Sequence, residues 1–192
     1  MPHPDSLQIA ERLRQTTFLD LFQRLDRKLL DSLWDGGRAS AALQAVVLNP
    51  SFDSRARFLA AEILFTMNPA WPPPTACASV TRVYVAALRD APGEMANPWG
   101  LPGMSDGLIA SHVLRLGEAA IPALLPLLDD ETPVQFSGSK DAAYGNSFAW
   151  RVKDIAASLI ARMRPLSFSP DPDPAVRDRA IAALKASLQS VQ

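Results

Sequence analysis

A chain of 192 residues with 48% hydrophobic side chains is long enough to bury a genuine core and too apolar to stay disordered. Its 19 lysines and arginines balance 20 aspartates and glutamates, so no net field exists to hold a polyphosphate backbone or an anionic membrane, and nucleic acid is disfavoured as a partner. One cysteine, Cys77, excludes an intramolecular disulfide.

Apolar residues recur at helical spacing between the prolines and no run alternates with period two, so the expected class is all-α. Met1-Pro2-His3-Pro4-Asp5 carries no secretory pattern and no apolar run reaches bilayer length, so a soluble, cytoplasmic protein without a membrane partner is expected. Asp5 or Ser6 caps a first helix to residue 15. Thr17 opens a second, in which Leu21, Leu25, Leu29 and Leu33 fall four apart until Gly36-Gly37 stops it. Helices at 38–48 and 53–67 follow, the first ending before Asn49-Pro50. Beyond Pro72-Pro73-Pro74, residues 75–88 read as helix, with Cys77 a buried structural thiol at its apolar start. Ser105 or Asp106 caps a helix to Leu116, and 118–128 forms another that Pro126 bends. Residues 129–143 read as polar loop, 144–163 as one helix, and a final helix ends near Gln189.

Self-similarity is the strongest signal. Arg55-Ala56-Arg57-Phe58-Leu59-Ala60-Ala61-Glu62-Ile63-Leu64 aligns with Arg151-Val152-Lys153-Asp154-Ile155-Ala156-Ala157-Ser158-Leu159-Ile160, and the register continues to Met67 and Met163. Both place apolar residues at i, i+3, i+4, i+7, i+8 and i+11, one face of a helix. Arg177-Asp178-Arg179-Ala180-Ile181-Ala182-Ala183 is a third, fading copy, as a terminal cap of an array requires. Helices bearing Leu43, Val46 and Val47, and Ile121, Leu124 and Leu125, precede the two strong copies and make them helix pairs.

With Gly117-Glu118-Ala119-Ala120-Ile121-Pro122-Ala123-Leu124-Leu125-Pro126-Leu127-Leu128-Asp129-Asp130 and Asp173-Pro174-Ala175-Val176-Arg177, the chain resembles the HEAT-repeat superfamily in its short bacterial form. The N-terminal section and the Pro-rich connectors depart from it. The resemblance implies a right-handed α-α superhelix, a solenoid of antiparallel helix pairs. The corresponding division is a single helical-repeat domain over 1–192, with an N-terminal cap at 1–37, pairs at 38–68, 75–117 and 118–164, and a capping helix at 174–190. Members of that superfamily are mostly scaffolds and binding modules, with a few enzymes such as DNA glycosylases and bilin lyases, so the motif speaks to architecture more than to function.

Comparing the copies exposes an insertion. The connection from Leu128 to Arg151 is sixteen residues longer than that from Leu48 to Arg55, and it mixes carboxylates, hydroxyls and aromatics as a recognition loop does. A second unusual segment, Asn97-Pro98-Trp99-Gly100-Leu101-Pro102-Gly103-Met104-Ser105-Asp106, also lengthens a helix connection. The two loops either share a cleft or pack on the array, with Trp99 and Phe136 plugging gaps. The expected function is noncatalytic binding of a protein or peptide through 97–106 and 129–150, with Trp99, Asp106, Phe136, Asp141, Tyr144, Trp150 and Arg151 as binding residues. The alternative is a small-ligand binder or enzyme whose pocket between those loops uses Asp106, His112, Asp141, Tyr144 and Arg151. Asp129-Asp130-Glu131 lacks calcium-loop spacing and reads as a solvated acidic loop, and His112 has no metal-ligating companion and reads as structural. No phosphate loop or nucleophile elbow is present, so no catalytic residue, metal or cofactor is expected.

Overall fold

The computed structural model describes residues 4–23, 27–90, 96–138, 140–164 and 166–189. They are mostly helical, and the one named sheet among them is a two-stranded ladder. The chain divides into two compact units, Met1–Ala87 and Leu88–Gln192, a division that falls inside the expected helix pair at 75–117.

In the first unit α1 (Pro4–Arg14) buries Ile9, Ala10 and Leu13. The long helix expected from Thr17 is instead a π turn at Leu19–Gln23 followed by α2 (Arg27–Trp34), with Leu25 outside the described residues. Thr17 and Asp20 cap the turn reciprocally, each side chain accepting the other's backbone N–H at 3.2 and 3.1 Å. Left-handed Asp35 and Gly36 then stop α2. Next come α3 (Ser40–Leu48) and α4 (Ser54–Met67), where the Asp53 carboxylate accepts the Ala56 N–H at 3.1 Å. α4 packs against α1, α2 and α3 and is buried all round from Phe58 to Phe65, well beyond the single face that its apolar spacing implies. A 3-10 turn at Pro74–Ala76 leads into α5 (Cys77–Asp90). Cys77 is half-buried there rather than fully buried.

The second unit contains α6 (Ala96–Trp99), the strands β1 (Gly100–Leu101) and β2 (Ser105–Asp106), and α7 (Leu108–Arg115). Ser105 and Asp106 therefore belong to the ladder, in register with Leu101 and Gly100, and Gly107 is the residue that precedes α7. The hairpin closes tightly on that glycine, where a Cβ would overlap the Pro98 carbonyl.

The helix expected at 118–128 is a 3-10 turn (Gly117–Ala120), α8 (Ile121–Leu124) and a second 3-10 turn (Leu125–Asp129). Pro122 and Pro126 each open one of the last two segments, where no amide donor is missed. The three-residue period moves the buried stripe to Ile121, Leu124 and Leu127 and leaves Leu125 half-buried. The helix expected at 144–163 is also two, α9 (Lys140–Ser147) and α10 (Val152–Met163), parted where Ala149 adopts a left-handed φ of 47°. α11 (Pro174–Gln189) ends the unit and, like α7 and α8, packs on α10. Every residue of α10 from Val152 to Ala161 is buried.

One stop device recurs. α3, α4 and α10 all end on an extended residue, Asn49, Asn68 and Arg164, and a proline follows each in the sequence. The proline ring excludes the helical conformation from the residue before it.

Candidate functional site

The insertion is pinned to the second unit by its own backbone. Val134 N–H donates to the Trp150 carbonyl at 2.8 Å, and Val152 N–H to Thr132 at 2.9 Å, so 132–134 runs antiparallel to 150–152 around the Pro133 and Arg151 bridge. The Asn146 amide clamps Phe136, accepting its N–H at 2.8 Å and donating to its carbonyl at 2.9 Å. Asn97 treats Ser137 the same way, donating to its carbonyl at 2.8 Å and accepting its N–H at 2.9 Å. The two unusual loops thus meet, and they meet by packing.

Three of the aromatics expected at a recognition surface are interior: Trp99 is 3% exposed, Phe136 5% and Trp150 0%. Phe148 stacks on Trp150 with ring centroids 5.0 Å apart. The Arg177 guanidinium also lies over the Trp150 ring, 4.6 Å from its centroid. Of the expected site aromatics only Tyr144 reaches solvent, 50% exposed and edge-on to Phe148. The side chain of Asp141 lies outside the described residues.

Arg151 precedes α10, and its side chain folds back on Asp154 as a fork, Nε to one carboxylate oxygen at 3.0 Å and a terminal nitrogen to the other at 3.1 Å. Asp154 also accepts the Arg151 backbone N–H at 2.9 Å, which satisfies a donor at the helix start. Asp154 and Arg177 are fully buried and pair at 3.1 Å. Arg177 spends its other donors on the carbonyls of Asp171, Pro172 and Ala149. Outside this buried pair, Asp178 pairs with Arg151 at 2.9 Å and Lys153 at 2.8 Å, and Glu131 pairs with the same two cations.

The charges set one another. Burial alone would lower the pKa of Arg151, but hydrogen bonds and charge from Asp154 and Asp178 overcome it and hold it above its ordinary value. The same holds for Lys153, where burial is opposed by Asp178 and Glu131. The Lys153 ammonium, aided by Arg151 against partial burial, keeps Asp178 below the usual carboxylate range. Arg151 is therefore engaged within the protein rather than held ready for a ligand. The acidic stretch is likewise paired: Glu131 as above, Asp129 with Lys185, and the Asp130 carboxylate with the Thr132 N–H. The side chains of Asp129 and Glu131 are nonetheless largely exposed, so the stretch is a solvated acidic loop, as its composition implies, with its charges paired across the unit.

What stays open is a cleft of about 290 Å³ beside β2. Its floor is α10, through Ser158, Ala161 and Arg162; one wall is the 103–106 turn, and the other is Leu166 and Phe168. Gly103 N–H donates to the Ser158 hydroxyl at 2.8 Å and thereby hangs the turn on α10. Asp106, partly exposed, pairs with Arg162, and Met104 is an exposed apolar side chain above them. Of the polar groups expected in a pocket and described by the structure, Asp106 lines this cleft, and His112 is buried in α7. Met104, Ser158, Arg162, Leu166 and Phe168 were not among the expected site residues, since nothing in their spacing brings 104 to 158–168.

A second cleft, about 230 Å³ in the first unit, is lined in part by Arg12, Asp35 and Arg38. Arg38 pairs with Asp35 at 2.5 Å, and Arg12 donates to the Ser32 hydroxyl at 2.8 Å.

Among the described residues no three His, Cys, Asp or Glu side chains gather as a metal site would need, and no single helix is long and apolar enough to cross a membrane. The chain matches no protein-family model, and no curated protein or solved structure is significantly similar to it.

Proposed function

We propose that the chain is a noncatalytic, HEAT-like interaction module that captures a peptide segment of a partner protein by seating one apolar side chain in the cleft between the 103–106 turn and Phe168. The HEAT-like reading rests on the repetition of α4 and α10, with the same apolar register, a preceding helical segment packed on each and the same proline stop.

The observation that carries the peptide reading is the combination in the cleft of exposed Met104, half-buried Leu166 and Phe168, and a charged pair at the rim. Apolar side chains gathered beside a charged pair are the components of a peptide contact. Small-molecule sites usually enclose roughly 300–1,000 Å³. At about 290 Å³ and open to solvent, this one suits a single anchoring side chain better than an engulfed ligand.

Selection of a random peptide library on the immobilised chain tests the reading. Enriched peptides should carry an apolar anchor and bind Met104→Asp and Phe168→Asp at least about ten-fold more weakly, a loss of about 1.4 kcal/mol. Leu7→Asp, an exposed position on α1, should leave binding unchanged. Equal binding to all four proteins, or no enrichment, would overturn the proposal.

A further inference from the structure

Leu166 and Phe168, which wall the cleft, belong to the connector that joins α10 to α11. The cleft therefore depends on where α11 sits. The side chains that α11 buries fully are Arg177, Ile181, Leu184 and Leu188, so its three fully buried apolar side chains lie from the middle of the helix onward, with Val176 and Ala180 half-buried before them. Its N-terminal turns are held by charge. Arg177 ties them to Asp154 and to the carbonyls of Ala149, Asp171 and Pro172, and Asp178 ties them to Arg151 and Lys153.

These ties differ in kind. The Arg177 and Asp154 pair is fully buried, and the loss of hydration offsets much of its attraction. The outer pairs run through Asp178 and Glu131, whose side chains are 44% and 65% exposed, so salt screens them and protons reach them. The charged groups facing the junction are Arg151, Lys153 and Asp154 from the start of α10, Glu131 and Asp129 from the insertion and the turn before it, and Arg177, Asp178 and Lys185 from α11 itself. Arg179, also on α11, is exposed.

We infer that α11 is an ionic latch on the cleft: when the outer pairs are lost to acid or salt, α11 undocks as a unit and the 166–173 connector slackens, which removes one wall of the cleft and weakens peptide binding. Only that last step rests on the peptide reading. The others concern the fold alone and are measured without a peptide.

Hydrogen exchange of the whole chain, corrected for intrinsic rates, is compared at about pH 7 in low salt, at about pH 7 in 1 M NaCl, and at about pH 3, below the unfolded carboxylate range. Protection in 175–189 should fall at least about ten-fold under either stress while 152–163 changes by less than about two-fold, since sub-global units open separately. Asp178→Asn should reproduce part of the loss, up to about five-fold, at neutral pH and low salt. Methyl spectra of Met104 and Leu166 report the cleft and should shift under the same conditions. Loss of protection in both segments together, or in neither, refutes the latch. Unmoved methyls beside a loosened α11 refute its link to the cleft. Failure of the peptide selection leaves both of these measurements intact, so the two proposals fail separately.

Discussion

α4 and α10 present the same apolar register to their surroundings and are each buried almost from end to end, yet they are held in place by different chemistry. α4 begins on the Asp53 cap, leaves Arg55 in solvent and points the Arg57 Nε at the Val47 carbonyl, 3.0 Å away, where it completes the end of α3. α10 begins on Arg151 and carries Asp154 where α4 carries Phe58, so an apolar contact in one copy is a buried ion pair in the other. Four residues on, Glu62 and Ser158 share a second position, and both tether a later or neighbouring element: Glu62 accepts from the Tyr84 hydroxyl of α5, and Ser158 from the Gly103 N–H. The apolar positions make the helix, and the polar positions decide what is fastened to it.

The comparison breaks most visibly at Asp154. Truncating one partner of a buried ion pair strands the other, so Asp154→Ala should destabilise the second unit by about 3–5 kcal/mol. Hydrogen exchange at rising urea would read this as a loss of protection in α10 and α11, with α4 unaffected. If the loss were spread evenly over α4 and α10, the two units would not be separate in stability. Tyr84→Phe comes next. It removes the hydroxyl that donates to the buried Glu62 carboxylate, and a hydrogen bond to a charged group is worth about 1.5–3 kcal/mol. Ser158→Ala, its counterpart in α10, removes a neutral bond and should cost about 0.5–1.5 kcal/mol. A Ser158 effect as large as that of Tyr84 would mean that the tether's charge is irrelevant, contrary to the sharpened comparison.

The parts of the fold that local chemistry determines were legible before the structure. The apolar face of α4, its start at Asp53, and the end of α3 before Asn49-Pro50 depend on residues within a turn of one another. The breaks were less legible. Ala149 is an ordinary helix former, and only the antiparallel pairing of 132–134 with 150–152 forces it out of the helical region. The prolines of 117–129 announced a disturbance, and its resolution into 3-10 turns followed from packing on α10. At the site, repeat comparison exposes the insertion, and its sequence leaves its aromatics open between a recognition surface and gaps in the array, because aromatic residues favour interfaces as well as cores. Trp150 is packed by Phe148 and by Arg177, and the second lies 27 positions away on another helix. Arg177 aligns with the exposed Arg55, so repeat position alone misplaces it.

The smallest expected effect is the most diagnostic of the charged start of α10. The folded pKa of Asp178 is held down by Lys153 and Arg151, so its contribution is present above the unfolded value of about 4 and is lost as pH falls through the folded value. Lys153 has the opposite sign: its folded pKa is raised, so its contribution is full below about 10.4 and lost as pH rises through the higher folded value. Solvent reaches Asp178, which limits the pair to no more than about 1 kcal/mol. Denaturation of wild type and Asp178→Asn from about pH 7 downward should therefore show a small, constant gap that closes only below about pH 4. Among the described residues α4 has no such acid-sensitive junction at its aligned position, where Arg57 stands in place of Lys153 and donates to the Val47 carbonyl and Arg55 is exposed, so Arg55→Gln should leave the acid limb of the curve unmoved. A gap for Asp178→Asn that persists to the acid end would show that its side chain acts through shape or packing, and the contrast between the two helix starts would then no longer be one of charge.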